Sequence, residues 1–297
     1  MRIGLFAGGF AQSAGADYLT AVAMQAEVAG FDSLWLGEHA VLFESYPQSR
    51  YPYRQEGGPD APLPDPTVPL IDPLIGLTWA AAHTSTIEIG SAILILPQRH
   101  PLLLAKELAT LDQLSGGRLA VGIGAGWAKE EMDAFGLDWA KRGRRMDDYI
   151  AALRSLWRDD AATLVSESAS FARAYSFPKP VRRDLPLLIG GESKAAMRRV
   201  ATAGDGWIAN KLAPGDAAET LGGLRRMTAE AGRDPDALRL IVTIFPDTPR
   251  DALRAYRDAG ATDFQLLALD RFPADRAGVA TMVGQLGEAF VAFVHDL

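Results

Sequence analysis

Cysteine is absent from the 297 residues of the chain, and histidine is scarce, with four copies. The absence of cysteine excludes disulfides, thiolate metal sites and thiol nucleophiles. No histidine is spaced from other histidines or carboxylates as in a metal-ligand set, so we expect no bound metal. Basic residues are in the minority, because 30 of them against 37 acidic residues give a net charge of −7. This charge argues against binding to nucleic acid or to an acidic membrane surface.

Long hydrophobic runs are missing as well. No uninterrupted apolar stretch approaches the ~20 residues of a transmembrane helix. A strand-like segment begins at Arg2, where a secretory signal would need a charged region followed by an apolar one. We therefore expect a cytoplasmic protein without a membrane partner. The hydrophobic share of 48% and the charged share of 23% match a folded protein with one large core.

The segment 92–127 predicts one complete βαβ unit. Residues 87–96 form a nearly continuous apolar run, as expected of a strand that is covered on both faces. Pro101 suits the first turn of a helix, and Gly116 suits its left-handed end. Residues 118–126 then predict a second strand. Because parallel strands joined by a helix need a right-handed crossover, repeats of this unit build an open doubly wound sheet or a closed barrel.

Strand and helix patterns alternate along the whole chain. Eight strands are predicted, at residues 3–6, 33–37, 87–96, 118–126, 185–189, 207–209, 240–245 and 264–269. Eight helices are predicted, at residues 18–29, 73–83, 101 to about 115, 147–157, 194–203, 217–231, 249–259 and about 279–294. This number and the chain length favour an α/β fold with a single (β/α)8 TIM barrel over residues 1–297. A Rossmann sheet would more usually have a second domain.

Two segments interrupt the alternation. The insertion after the second strand, residues 40–72, contains seven prolines and is far longer than a usual strand-to-helix connection. It is either a disordered surface insert or a packed wall beside the site. Its four aromatic residues favour the wall, because disordered inserts are usually poor in aromatics; they are Phe43, Tyr46, Tyr51 and Tyr53. The insertion after the fourth helix, residues 159–183, has alternating polarity and predicts a short strand or hairpin outside the barrel.

Functional groups of such a barrel project from the carboxyl ends of its strands. Glu38 and His39 follow the second strand, and a histidine there is a candidate for acid–base chemistry near neutral pH. The alternative is a structural histidine that holds the long loop by hydrogen bonds. Ala125 and Gly126 end the fourth strand, as the last two residues of the sequence GIGAG. This sequence is a weak match to a dinucleotide fingerprint, and we interpret its glycines as letting a flat ring lie against the barrel wall.

The sequence GGES at 190–193 is the clearest ligand-holding feature. Gly190 and Gly191 let the backbone approach a ligand, and Ser193 can cap the following helix. The free N–H groups and the positive end of that helix favour an anion such as a phosphate. The alternative is that Ser193 only caps the helix and that the two glycines only make a tight turn.

Four segments together resemble the luciferase-like monooxygenase superfamily. They are LWLGEHAV at 34–41, LILPQRHPLLLAKELATLDQLSGGRLAVGIGAGW from 94 onward, RGRRMDDYIAALRSLW at 142–157 and PLLIGGESKAAMRRVATAGDGW at 186–207. The resemblance spans roughly residues 1–210. More narrowly, the chain is similar to the bacterial branch that uses coenzyme F420, a deazaflavin.

The resemblance implies where a cofactor would bind. In that family the flavin or deazaflavin ring lies across the carboxyl mouth of a (β/α)8 barrel, on a bulge with a non-prolyl cis peptide at the end of the third strand. The bulge would fall near Ile93, Leu94 or Ile95, so we expect the ring to contact Ile93 and Leu94, together with Ala125 and Gly126.

The family pattern also assigns roles to the other strand ends. Glu38 and His39 match a pair that contacts the ring in deazaflavin-dependent relatives and can act in proton transfer. The segment Gly190, Gly191, Glu192 and Ser193 matches the phosphate-binding segment of the family.

The resemblance implies hydride transfer between coenzyme F420 and a small organic substrate, with His39 as the proton donor or acceptor. Three alternatives remain open. They are an FMN-dependent luciferase-like monooxygenase, a cofactor-free barrel hydrolase and a non-catalytic flavin-binding protein. No convincing nucleophile or close carboxylate pair supports the hydrolase. Because related barrels often pair through helices, we also expect a homodimer.

Overall fold

The computed structural model of the chain describes residues 1–8, 14–50, 65–268 and 275–297. Two aromatic residues of the long insertion, Tyr51 and Tyr53, lie outside the described residues. So does the predicted end of the last strand at residue 269.

Eight parallel strands close into a barrel, as the alternation of strands and helices predicts. The chain contributes, in order, β1 (Arg2–Gly8), β2 (Ser33–Leu36), β3 (Glu88–Ile95), β4 (Leu119–Gly124), β5 (Ala162–Val165), β6 (Ser170–Ala174), β7 (Leu187–Gly190), β8 (Gly206–Ala209), β9 (Arg239–Ile244) and β10 (Asp263–Leu267). The barrel has the order β1-β10-β9-β8-β7-β4-β3-β2. The predicted (β/α)8 fold is therefore confirmed.

The helices surround the barrel. Within the described ranges they are α1 (Ala16–Val28), α2 (Pro73–Ala82), α3 (Pro101–Leu114), α4 (Lys129–Ala134), α5 (Arg142–Arg158), α6 (Lys194–Thr202), α7 (Ala217–Glu230), α8 (Arg250–Asp258) and α9 (Arg276–His295). The short helix α4 is not among the predicted eight, and α5 begins before its predicted start at residue 147. Both differences have one reason, because these turns are mostly polar and carry no apolar stripe from which a helix could be predicted.

The second insertion contains a separate antiparallel hairpin, formed by β5 and β6 outside the barrel. The predicted hairpin in residues 159–183 is therefore confirmed. Lys179 attaches the segment to the barrel layer, because its Nζ donates to the carbonyl oxygens of Leu156 at 2.7 Å and Asp159 at 2.5 Å.

The alternation of side chains along the strands creates two apolar layers. One layer fills the space between the strands and the helices. The other fills the barrel interior and consists of Phe6, Trp35, Ala120, Leu188, Ile208 and Ile241. Gly4 and Gly90 make room for the indole of Trp35, because a Cβ at either position would lie within 2.3 Å of it. The interior is thus a packed core, as in other TIM barrels.

An ionic cluster closes the amino-terminal end of the barrel. Arg239 contacts both Glu88 and Asp263 at 2.7 Å, and Arg2 lies 3.3 Å from Glu88. A partly buried ionic network stabilises the fold most when each of its charges has a partner. The cluster joins β1, β3, β9 and β10 at the end opposite the mouth.

Helix α9 has the length and the apolar composition of a membrane-spanning helix. One of its faces instead belongs to the core layer between strands and helices, where it contributes Val279, Val283, Leu286, Phe290, Val291 and Val294. We therefore interpret α9 as a core helix of the barrel.

Candidate active site

The floor of the mouth is apolar and begins at the bulge of β3. The pairing of β3 with β4 shifts register between Ser91 and Leu94, and the Ala92–Ile93 peptide bond is cis. This is the place where the sequence predicts the bulge. Ala92, Ile93 and Leu267 are half-buried and lie on the interior core cluster. They form a surface on which a flat ring could lie.

The glycines of β4 and β7 leave the space that this bulge occupies. A Cβ on Gly122 would lie 2.2 Å from the carbonyl oxygen of Ser91, and a Cβ on Gly124 or Gly190 would lie 2.8 Å from the Ile93 side chain. The interpretation that the glycines leave the wall open for a ring is therefore wrong. Their space is filled by β3, and Ile93 is the residue that faces the mouth.

The other three residues predicted to contact the ring lie in different surroundings. Leu94 is completely buried in the layer between strands and helices, so its side chain cannot contact a ligand in the mouth. Ala125 is half-buried. Gly126 makes a turn with φ +79°, and a Cβ there would lie 2.8 Å from both Ile95 and Met132. Gly126 therefore directs the chain towards Trp127 and α4.

Glu38 is buried beside the bulge and is surrounded by donors. One carboxylate oxygen accepts from the backbone N–H of Ile95 at 2.5 Å, and the other accepts from Nε of Arg99 at 2.6 Å. Arg99 also donates to Asp72 at 2.6 Å, the residue that caps α2. The Glu38 carboxylate thus joins the end of β2 to the end of β3.

Burial and charge act in opposite directions on this pair. Burial raises the pKa of the Glu38 carboxyl, and the Arg99 guanidinium opposes that rise. For Arg99, burial is the largest single influence and lowers the pKa, but the two carboxylates of Glu38 and Asp72 together raise the pKa above its usual value. Since both carboxylate oxygens face donors, we assign the charged form to Glu38 and a structural role to its ion pair.

Both ring nitrogens of His39 take part in hydrogen bonds. Its Nδ1 lies 2.9 Å from Oε2 of Glu131, and its Nε2 lies 3.1 Å from Nε1 of Trp127. An indole N–H can only donate, so Nε2 accepts. The neutral ring therefore carries its proton on Nδ1, which donates to Glu131. The side chain of His39 is 12% exposed.

Glu131 is a functional candidate that the sequence reasoning missed. Its side chain is 1% exposed, and besides His39 it accepts from the backbone N–H of Ala40 at 2.7 Å. The available signal is the pair of carboxylates in the first turn of α4, directly after the fourth strand. That signal alone does not show that Glu131 reaches back to the end of β2.

The first described part of the long insertion, residues 40–50, contacts α4 through Gln48 and Ser49. Glu130 accepts from the backbone N–H of Gln48 at 2.7 Å and from the Ser49 hydroxyl at 2.5 Å. The ring of Tyr46 is buried and lies 4.9 Å from the ring of Trp127. Tyr46, Gln48 and Ser49 therefore attach this part of the insertion to α4 and Trp127, and residues 51–64 of the predicted wall lie outside the described residues.

The GGES segment follows β7 with the predicted local geometry. Gly191 has φ +103°, a value that favours glycine, and Ser193 caps α6 by accepting from the Ala196 N–H at 3.1 Å. The exposed Glu192 accepts from the Asn210 N–H at 3.0 Å, so its carboxylate is held against the end of β8. The first-turn N–H groups of α6 have no intrahelical acceptor and face the rim of the mouth.

These features fit an anionic group at the start of α6. A Cβ on Gly191 would lie no closer than 3.8 Å to the described residue Ala196, so the turn is not crowded there, and the Ser193 hydroxyl can still donate its hydrogen. No group of three or more His, Cys, Asp or Glu side chains that could hold a metal ion occurs within the described part of the chain.

A family model described as luciferase-like monooxygenase matches residues 1–285. The chain belongs to the luciferase-like monooxygenase family. An uncharacterized protein of Mycobacterium tuberculosis is 32% identical over 259 residues, which are 86% of this chain and 89% of the relative. The FMNH(2)-dependent dimethylsulfone monooxygenase of Pseudomonas fluorescens is 38% identical over 132 residues, which are 43% of this chain but only 36% of that enzyme.

Two solved structures share the luciferase-like fold at lower identity. The F420-dependent secondary alcohol dehydrogenase, solved with an F420-acetone adduct, has a TM-score of 0.75 and 20% identity, with 97% of this chain and 98% of that chain covered. The monooxygenase RslO1 from Streptomyces bottropensis has a TM-score of 0.76 and 20% identity, with both chains fully covered at 100%. At this identity the likeness shows the fold alone.

Proposed function

We propose that this luciferase-like oxidoreductase uses coenzyme F420 and transfers a hydride between the deazaflavin and a small organic substrate. The observation that carries the proposal is His39, a histidine with an acceptor nitrogen at the carboxyl mouth, beside the apolar floor of Ala92, Ile93 and Leu267. A hydride transfer needs a dry surface for the ring and one group that exchanges a proton with the substrate.

Different residues of the chain would hold the ring and the phosphate of such a cofactor. Ile93 and Ala92 would support the ring, and Gly191 with Ser193 and the start of α6 would hold its phosphate. When bound, the deazaflavin supplies a carbon at position five that accepts or donates the hydride. The protein supplies orientation, exclusion of water and the proton at His39. Glu38 contributes by holding the bulge through Ile95.

An FMN-dependent luciferase-like monooxygenase is the second candidate. The 38% identity over 132 residues to an FMNH(2)-dependent monooxygenase favours it. The phosphate site and the ring surface would be the same in both enzymes. The two candidates differ in whether the reduced cofactor reacts with oxygen.

Parallel titrations of the purified protein with F420 and with FMN test the choice between them. Fluorescence of each cofactor is followed to saturation, and oxygen consumption is measured with each reduced form. We expect tighter binding of F420 and no oxygen consumption beyond that of the free cofactor. Tighter binding of FMN with oxygen consumption would contradict the proposal and favour the monooxygenase.

Replacement of His39 by Ala tests the proton-transfer role. Loss of the acid–base group should lower turnover by about 10²-fold or more, with the dissociation constant of F420 changed little. His83→Ala is the matched control, because His83 lies at the end of α2 and contacts the carbonyl and the ring of Trp79. Equal turnover of the His39→Ala and His83→Ala proteins would remove His39 from the mechanism.

A further inference from the structure

We propose that Gln265, with Thr243 and Asn210, forms an uncharged recognition site inside the barrel, which pairs with a ligand edge that carries an N–H beside a C=O. Such an edge occurs in cyclic imides and in amides. The inference rests on the proposed function in one respect, because the ligand is taken to enter through the mouth of the barrel. It does not depend on the choice between F420 and FMN, since both ring systems carry an imide.

The three side chains lie on neighbouring strands and point into the barrel. Gln265 stands between Phe264 and Leu266 on β10, and both of these belong to the layer between strands and helices. Because side chains alternate along a strand, Gln265 points to the interior. Thr243 is its register partner on β9. The Thr243 hydroxyl donates at 3.1 Å to Oδ1 of Asn210, which directly follows β8.

This row of side chains descends from the mouth into the barrel. Asn210 is half-buried, Thr243 is 7% exposed and Gln265 is 2% exposed. In the closed barrel β8 stands opposite β2, and β9 stands opposite β3, since four steps around the barrel separate the strands of each pair. The row therefore lies across the barrel from the bulge of β3. A ligand that rests on Ile93 has this row on its other side.

Gln265 has an acceptor that no neighbour satisfies. Its Oε1 is buried and has no hydrogen-bond partner among the described residues. Thr243 does not supply one, because its only hydroxyl hydrogen goes to Asn210. Gly4, the register partner on β1, has no side chain. A buried carbonyl without a donor costs folding free energy, so its presence in a packed barrel indicates that a ligand or an ordered water pairs with it.

The chemistry of the row selects the ligand group. A carboxamide presents a donor and an acceptor side by side, so the complementary edge has an N–H next to a C=O. The row carries no charge, and Asp263, the preceding inward-facing residue of β10, is paired with Arg239 at 2.7 Å. A charged group would lose its hydration without gaining a counter-charge from the row. The site therefore suits a neutral imide or amide.

The test compares rings that carry or lack the imide N–H. FMN, F420 and the N3-methyl derivative of each are titrated into the full chain, and binding is followed by fluorescence. Methylation replaces the N–H and leaves the rest of the ring unchanged. We expect it to raise the dissociation constant by about tenfold, because a buried acceptor then stays without a donor.

Gln265→Met shows whether this effect comes from Gln265. The substitution keeps the length of the side chain and removes both amide groups. It should raise the dissociation constant of each unmethylated ring by about tenfold and that of each methylated ring much less. The ligand-free variant should melt at an equal or higher temperature, because it loses a buried group without a partner. Gln113→Met is the matched control, because Gln113 is exposed and donates to the carbonyl of Lys179 outside the barrel.

A second pair of probes separates the two sources of the edge, the ring and the substrate. The probes are 1-methyluracil, which has one imide N–H, and 1,3-dimethyluracil, which has none, and saturation-transfer NMR detects their binding. A methylation effect on ring binding that disappears in Gln265→Met assigns the site to the imide of the ring. Without that effect, binding of 1-methyluracil alone to the ring-loaded protein, and its loss in Gln265→Met, assigns the site to an amide of the substrate.

The remaining outcomes separate this inference from the proposed function. Equal binding of methylated and unmethylated probes throughout would overturn the inference and leave an ordered water as the partner of Gln265. A Gln265→Met protein that melts lower but binds every probe unchanged would overturn it as well. If this variant does not fold, the methylation effects in the unsubstituted protein decide. If no ring binds, the proposed function fails, and the two uracils added to the free protein then test the site by themselves.

Discussion

Glu38 and His39 are neighbours in sequence with different tasks. Glu38 holds the bulge of β3 through Ile95 and Arg99, and His39 lies at the mouth with its Nε2 accepting from Trp127. The sequence predicts both residues at a strand end, because that position follows from the strand pattern. It does not predict their partners. Ile95 and Arg99 lie 57 and 61 residues after Glu38, and Glu131 lies 92 residues after His39. The closed barrel brings these residues together.

At the residue scale, Glu38→Gln should destabilise the protein. The substitution leaves Arg99 buried with only Asp72 as a charged partner, which is expected to cost about 2–3 kcal/mol in the free energy of unfolding. Urea unfolding measures the difference. Glu167→Gln is the control, because its pair with Lys141 is exposed and its loss should give no measurable change. Equal stability of the two variants would show that the Glu38 ion pair does not support the fold.

Glu27 makes stability depend on pH. Burial opposes the shift, but the backbone N–H groups of residues 85–87 and the Thr86 hydroxyl lower the pKa of Glu27 to about 2. A lowered pKa stabilises the folded state above the unfolded value of 4.5, and this stabilisation is lost as pH falls from there towards 2.

Glu27→Gln should therefore be less stable than the unsubstituted protein by about 1–2 kcal/mol at pH 7, after allowance for solvent screening. The difference in free energy of unfolding should shrink as pH falls below about 5, the region in which unfolded glutamates become protonated. Chemical denaturation at a series of pH values measures it. A difference that stays constant down to pH about 2 would contradict the assignment.

At the scale of elements, the bulge of β3 and the glycines facing it form one unit. The strand pattern predicts the position of β3 and the glycine sequence marks β4. A sequence cannot distinguish a glycine that leaves space for a ligand from one whose space is filled by a distant strand. Gly122 and Gly124 belong to the second kind, because Ser91 and Ile93 occupy the positions of their Cβ atoms. Element periodicity is local, whereas packing across the barrel is not.

Gly124→Ala should therefore be destabilising by about 1–3 kcal/mol, because its Cβ would overlap with Ile93. In an Ile93→Ala background the same change should cost much less, since the clash is removed. Thermal or urea unfolding of the four proteins in this cycle measures the coupling. Gly222→Ala in α7 is the control, because nothing lies within 4 Å of its Cβ position, and it should stabilise the protein slightly. Additive effects of Gly124→Ala and Ile93→Ala would contradict the packing described.

At the scale of the whole molecule, the surface of α2 and α3 exposes several large apolar side chains. Ile75, Leu103 and Leu114 are 70%, 65% and 71% exposed, and a groove of about 420 Å³ runs between the two helices. We propose that the expected homodimer forms here. The alternation of elements is enough to predict the barrel, but the pairing of subunits depends on surface shape and stays a prediction, as do the cytoplasmic location and the lack of nucleic-acid or membrane partners.

The double substitution Ile75→Lys and Leu103→Lys should convert a dimer into a monomer, because it places charges in an apolar interface. Analytical ultracentrifugation measures the mass. Val165→Lys is the control, because Val165 is 87% exposed on the separate hairpin, and it should leave the mass unchanged. An unsubstituted protein that sediments as a monomer would contradict the proposed interface.

A crystal structure of the protein grown with F420 would show whether the barrel mouth holds a deazaflavin between the bulge of β3 and the start of α6. We predict a ring on Ile93 with its reactive edge towards His39, and a phosphate that accepts hydrogen bonds from Ser193 and the first turn of α6. A phosphate bound elsewhere, or a mouth that stays empty at saturating F420, would contradict the account.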